Sequence, residues 1–351
     1  MVAPVTHILP LTNIRRERLL PVAGRVVVRA GQKVNATDVI AEARLESSHV
    51  LLDVRRGLGV PARQADGLIQ RKMGETVSEG DVIAGPVGLF PRVMRAPSDG
   101  HIVAVGGGQV LLERQGGMFE LRAGISGSVS ELIADRGAVI ETTGALVQGV
   151  WGNGRMDQGM LAVMVASPEE ELTNDRLDVS MRGAVILGGY CGDAEALQTA
   201  ASLPLRGLIL ASMPAELAPV ALRLSMPVLV LEGFGRLAMN SVAFKILTTN
   251  DKREAIVNAE LWDRFSGVRP EVVIPLPASG RLEAPHEGED LVAGQTVRIC
   301  RAPYTAMIGK IIALKPGADN FPSGVQSLAA TVELESGEQI VVPQANLEII
   351  A

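Results

Sequence analysis

Aromatic residues make up only 3% of this 351-residue chain, with two Trp, two Tyr and six Phe. That scarcity argues against a surface that stacks successive nucleobases, and it leaves Val, Ile, Leu, Ala and Met to build the interior. Cysteine is nearly absent. Cys191 and Cys300 stand far apart, which gives no disulfide framework and suits a reducing compartment. The four histidines, His7, His49, His101 and His286, are scattered and form no spaced ligand set with the cysteines, so no metal site and no cofactor are expected. No run of roughly 18 apolar residues occurs, and the stretch 1–10 lacks a basic leader followed by an apolar core, so the expectation is a cytoplasmic protein without a membrane segment. Acidic and basic residues are interspersed with a net charge of -6, which supplies no global attraction to nucleic acid or anionic membrane.

What the chain has in quantity is aliphatic core material, 47% hydrophobic residues, and 38 glycines. This length exceeds what one core usually organises, so two or three domains are expected. The strongest internal signal is a duplication. Gly31-Gln32-Lys33-Val34 followed by Asp38-Val39-Ile40-Ala41 matches Gly74-Glu75-Thr76-Val77 followed by Asp81-Val82-Ile83-Ala84, 43 residues further on. In each copy the Gly permits a turn, the first Val begins burial, and Val-Ile-Ala returns as a buried strand. Self-similarity of this kind means two copies of one supersecondary unit. A hairpin is expected over 100–105 and 109–113, turning at Gly106-Gly107-Gly108.

These residues, with Arg95-Ala96-Pro97-Ser98-Asp99-Gly100 and Ile102-Val103-Ala104-Val105, resemble the barrel-sandwich hybrid of biotinyl and lipoyl carrier domains over about residues 24–113. The resemblance implies the fold. It also implies that a carrier would display a modifiable Lys at the tip of a hairpin between the two half-motifs, whereas Lys33 lies inside the first turn and Lys72-Met73 abuts the second. Such hybrids also serve as unmodified inserts in large assemblies.

From residue 182 the rhythm changes. Strands over 184–187, 207–211 and 227–231 alternate with helices over 193–202, 214–224 and 236–248, and 160–166 is a candidate further strand. This spacing argues a parallel sheet of βαβ units. Ligands bind such sheets beyond the carboxyl ends of the strands, which here carry two glycine-rich turns. Gly188, Gly189, Cys191 and Gly192 of the first, and Glu232, Gly233, Gly235 and Arg236 of the second, are therefore the candidate ligand-binding residues. Asp193 is the expected N-cap of the following helix. Neither turn completes a phosphate loop or a dinucleotide fingerprint. Cys191 has no histidine in this segment to act as its base, and no catalytic residue is assigned.

A Gly-, Pro- and charge-rich stretch over 278–288 reads as a linker. Five short strands then follow in the last 60 or so residues, which suits a small SH3-like barrel. The order Gly-x-x-Val-Arg-Ile, Ala-Pro-Tyr, Ile-Gly-Lys-Ile resembles the KOW motif of ribosomal proteins and transcription elongation factors, with Gly309 as the glycine at the bend. The resemblance implies a module that binds RNA or protein, with Arg298, Arg301, Lys310 and Lys315 as phosphate contacts and Tyr304 as a stacking or protein contact.

The expected architecture is thus a multidomain α+β protein: an N-terminal β-rich barrel-sandwich-hybrid region over 1–150, a central α/β parallel-sheet domain over 151–277, and a C-terminal KOW/SH3-like β-barrel over 278–351. The function it points to is non-catalytic binding or assembly, with a protein partner or RNA at the C-terminal barrel and a homo-oligomer compatible with it. The alternative is a small-molecule sensor or enzyme that uses the central glycine-rich turns.

Overall fold

The computed structural model describes residues 2–88, 90–263, 268–278, 282, 284–285 and 288–351. His286 and most of the stretch expected as a linker fall outside them. The chain is mostly β-structure arranged in several sheets, with short α-helices in the first third and the middle.

The two sequence copies fold alike and are nested. The first half of copy one runs from residue 24 to strand Val39–Arg44, the chain then makes the whole of copy two, and copy one resumes at strand Met118–Arg122. The match extends to individual backbone bonds. Gly31 N–H donates to Val129 O at 2.8 Å, and Gly74 N–H donates to Ile102 O at 2.7 Å. Val129 N–H returns to Gln32 O at 2.9 Å, as Ile102 N–H returns to Glu75 O at 2.8 Å. Asp38 accepts from Asn35 N–H at 2.7 Å, and Asp81 accepts from Ser78 N–H at 3.1 Å. Gly31 and Gly74 sit at φ +79° and +87°, a left-handed conformation that a side chain would strain. Each copy has its own core: Ile14, Val34, Ile40, Ile125 and Ile140 in the first, and Val54, Leu58, Val77, Ile83 and Ile102 in the second. The hairpin expected in copy two forms from Gly100–Gly106 and Gln109–Arg114.

In the middle segment, strands Met156–Val163, Ala184–Leu187, Gly207–Met213 and Val228–Phe234 pair in parallel. Both faces are covered, so Gly207–Met213 is buried at every position, as parallel strands require. Helix Ala194–Ser202 begins on Asp193, whose carboxylate accepts Glu195 N–H at 3.0 Å. Two helix boundaries differ from the sequence reading. The segment expected as one helix over 214–224 is a short turn, Ala215–Leu217, and a single helical turn, Ala218–Ala221, because Pro219 lacks the N–H that a continuous helix would use. The helix expected from 236 starts at Ser241, where the Asn240 side chain accepts Ala243 N–H at 2.8 Å.

This parallel sheet does not stop at residue 151. It continues through antiparallel strands Glu254–Asn258, Glu271–Pro275, Gly137–Gln148 and Gly127–Ile133 to Lys33–Val34, with Ile8–Leu19 laid along Gly137–Gln148. Copy one therefore shares a sheet with the α/β segment, while copy two keeps to its own sheets.

The last sheet runs in the order Gly288–Asp290, Val2–Thr6, Leu347–Ile350, Thr296–Ile299, Ile308–Asn320, Gln326–Leu334, Gln339–Pro343. The first strand of the chain thus lies beside the last, in parallel, with Val5 opposite Ile349. Ala3 and Val5 alternate into the core of this sheet with Val297, Ile311 and Val332. Residues 315–327, which five short strands would leave as a connection, are the far end of a long two-stranded arm, in which Asn320 still pairs with Gln326.

Candidate functional site

The carboxyl ends of the parallel strands are where a ligand was expected, and the chain itself fills that position. Residues 168–173 run across the first glycine-rich turn. Tyr190 N–H donates to Glu170 O at 3.0 Å, and Leu172 N–H donates to Tyr190 O at 2.8 Å. A Cβ on Gly189 would lie 1.8 Å from Glu170 O, and one on Gly192 would lie 2.8 Å from a Glu171 carboxylate oxygen. A Cβ on Gly188 would press on Leu172 at 3.0 Å. These glycines therefore make room for a neighbouring segment of the same chain.

Cys191 is fully buried, and its thiol faces Asp193 O at 3.6 Å. Burial, above all, pushes the thiol pKa up to about 11; the bond to Asp193 O works against it, and the negative charges of Asp193 and Glu171 add to the rise. A thiol held protonated at neutral pH is the opposite of an activated nucleophile. In the second turn, Gly233 and Gly235 adopt φ of +131° and +110°, which shapes the turn. Arg236 extends from it, half over the Tyr190 ring at 4.8 Å and paired with Glu171 at 3.2 Å. The two turns do meet, through this contact.

Glu232 lies deeper and belongs to a buried polar cluster assembled from five distant segments. Its carboxylate accepts Asn240 N–H at 3.0 Å and the Asn240 side-chain amide at 2.5 Å, and its other oxygen meets the Arg298 guanidinium at 3.1 Å. Arg298 also binds Glu348 at 2.6 Å and Leu231 O at 3.3 Å. Glu348 completes its shell with Arg269 at 2.8 Å and the Thr6 hydroxyl at 2.5 Å. Burial works against the charge on Arg298, but Glu348 and Glu232 outweigh it and raise its pKa. Burial likewise works to raise the Glu348 pKa, but Arg298 and Arg269 outweigh it and hold that carboxyl below the usual glutamate value. Both oxygens of each carboxylate are occupied, so neither is placed to move a proton to or from a ligand.

This cluster corrects one expectation directly. Arg298, read from the sequence as a phosphate contact, is 3% exposed, and its guanidinium is saturated by two carboxylates and a carbonyl. Of the other residues expected at a C-terminal interface, Arg301 and Lys310 are exposed and Tyr304 is half-buried against the core of that sheet. Lys315 closes onto Asp319 at 2.5 Å, on the arm. Among the described residues, no group of three His, Cys, Asp or Glu side chains is placed to hold a metal, and no helix is long and apolar enough to cross a membrane.

A surface groove lies elsewhere. It is an open groove of about 650 Å³ on copy one, lined by polar side chains that include Asn13, Lys33, Asn35, Ser126 and Glu141. Lys33 stands on the wall of this groove and Lys72 in the exposed turn before Gly74. Neither is at the tip of the hairpin between Val82–Val87 and Arg92–Arg95, which carries Phe90 and Pro91. In copy one, the corresponding hairpin position is where copy two is inserted.

The chain matches no family model and no curated protein. The roles of Thr6, Asn240, Arg269 and Glu348 were not visible in the sequence. They converge from separations of up to 342 residues, and no local pattern marks such a meeting.

Proposed function

We propose that this chain is a non-catalytic binding or assembly protein. The observation that carries the reading is the state of Glu232, the one carboxylate in the glycine-rich turns: it is buried and neutralised by Arg298 from the C-terminal sheet, so the crevice acts as a joint between units. The covering of Gly188, Gly189 and Gly192 by residues 168–173 and the high pKa of Cys191 support the same reading.

The nested copies, with their matched bonds, support two barrel-sandwich hybrids, and the lysine-free hairpin tip supports an insert over a carrier. The five-stranded core over 296–350 supports a KOW/SH3-like barrel. A Cβ on Gly309 would sit 2.6 Å from Glu333 O, as expected of a glycine where strands approach closely. We assign the partner as a protein. With Arg298 buried and Lys315 paired, the exposed basic residues expected at this barrel reduce to Arg301 and Lys310, and Lys310 lies opposite Glu333 in the strand register.

Cross-linking through surface lysines, followed by mass spectrometry on the chain in its own cells, tests the proposal. Recurrent links from Lys310, Lys33 or Lys72 to fixed positions of a second polypeptide are expected. Absence of any such link, together with a stoichiometric small molecule bound at 188–192 and 232–236, would replace this reading with the sensor or enzyme alternative.

A further inference from the structure

Phe90 is 89% exposed, more than any other large hydrophobic side chain among the described residues. Only six Phe occur in the chain, and this one lies at the outer end of the copy-two hairpin, beyond Val87 paired with Arg92. The hairpin packs against the turn between helices Val54–Leu58 and Ala62–Leu68: a Cβ on Gly59 would lie 3.5 Å from the Arg92 guanidinium, and one on Gly57 would collide with Met94. Those helices carry Arg56 and Arg63. Arg63 and Arg92 are exposed and make no ion pair among the described residues, and Arg56 only skirts Asp53 at 3.9 Å.

The acidic groups at these helices are already engaged within the module. Asp53 caps the first helix and binds Arg55, and Asp66 accepts Gly108 N–H at 2.7 Å. The end of copy two therefore presents one bare aromatic ring on a hairpin that packs against helices carrying exposed arginines, of which Arg63 has no ion pair among the described residues and Arg56 only the long one to Asp53, on a module whose core is its own and which joins the rest of the chain through the 45–48 and 114–118 stretches.

We infer that the tip of copy two, Phe90 with Arg56, Arg63 and Arg92, is a docking surface for an acidic protein that offers an apolar pocket to the phenyl ring. The inference rests on the assembly reading and names one of its surfaces. A single aromatic anchor within a charged rim is how much of an interface's binding energy is concentrated, and exposed arginines select an acidic counterpart and speed its approach. The charge complement commits the partner to an acidic protein surface. An anionic bilayer and a second copy of this chain are the competing occupants that the test separates.

The test places the photo-cross-linker p-benzoylphenylalanine at position 90 of the full chain in its own cells and sequences the adduct. A discrete adduct to a different protein, at a peptide rich in Asp and Glu, is expected. Its yield should fall at least tenfold in the R56E/R63E/R92E background, stay near the parent level in R56K/R63K/R92K, and the thermal midpoint should be unchanged in both. An adduct of twice the chain mass, binding of the purified chain to phosphatidylserine vesicles that the Glu substitutions abolish, or a yield insensitive to charge reversal would each overturn the inference. A control cross-linker at Lys310 separates the two readings: adducts there with none at position 90 defeat only the tip, and none at either position defeats the assembly reading as well.

Discussion

Replacing Arg298 by Met should be among the most damaging single changes in this chain, and the size of the effect follows from what it strands. The Arg298 side chain is 4% exposed and that of Glu232 fully buried. Glu348 retains Arg269 and Thr6 after the change, but Glu232 retains only Asn240. Breaking one member of a buried ion pair typically costs about 3–5 kcal/mol. The expected loss is therefore about 3–5 kcal/mol at pH 7. The wild type has a pH dependence of its own. Glu348 has a depressed folded pKa, so its contribution is present above its unfolded value of about 4.5 and is lost as pH falls through the folded one. Urea unfolding at pH 7 measures the loss, and unfolding of the wild type below pH 5 the Glu348 contribution, with Trp262, which stacks with Arg269 at 5.1 Å, as a fluorophore near the cluster. The R298M/E232Q double variant should recover part of the loss, since no buried charge is left at Glu232. A loss under about 1 kcal/mol at pH 7 would refute the reasoning.

Other consequences are equally direct. Gly127→Ala and Gly100→Ala stand at equivalent places in the two copies, where a Cβ would lie 2.3 Å from Glu141 O and Glu113 O respectively. Each should cost about 1–3 kcal/mol or more, and a neutral result at either in thermal unfolding would break the equivalence. Asn153→Ala removes bonds to Ala221 O at 3.0 Å, Met226 O at 2.9 Å and Val228 N–H at 3.0 Å. It should cost about 2–4 kcal/mol, read from urea midpoints, and a shift within error would deny these bonds. In the native protein at pH 8, Cys191 should resist a thiol reagent over the time in which the exposed Cys300 reacts. Equal rates would contradict the burial that raises the Cys191 pKa.

The physics of what was legible differs from segment to segment. The duplication, the 100–113 hairpin and the βαβ rhythm are local patterns, set by turn glycines and by runs such as 184–187 and 207–211, and the folded chain contains them. Helix lengths were less legible, because Pro219 and the Asn240 cap act through single hydrogen bonds that periodicity does not register. Nesting of copy two within copy one, and pairing of Val2–Thr6 with Leu347–Ile350, are choices of long-range register that short strands of similar composition leave open. The glycine-rich turns were found where expected, but a glycine that admits a ligand and one that admits residues 168–173 look the same in sequence. Arg298 illustrates the same limit. A basic residue on a short strand reads as surface charge until its carboxylate partners, 66 and 50 residues away, are brought to it.

We propose that the crevice of the parallel sheet, covered by residues 168–173, takes no small-molecule ligand. Native mass spectrometry of the protein purified under native conditions, repeated after denaturation, tests it most directly. The account requires subunit masses equal to the 37.0 kDa of the sequence in both, with no difference between them. A stoichiometric small-molecule mass present in the native spectrum, released on denaturation and lost in a variant at Glu232 or Arg236 that still folds, would contradict it.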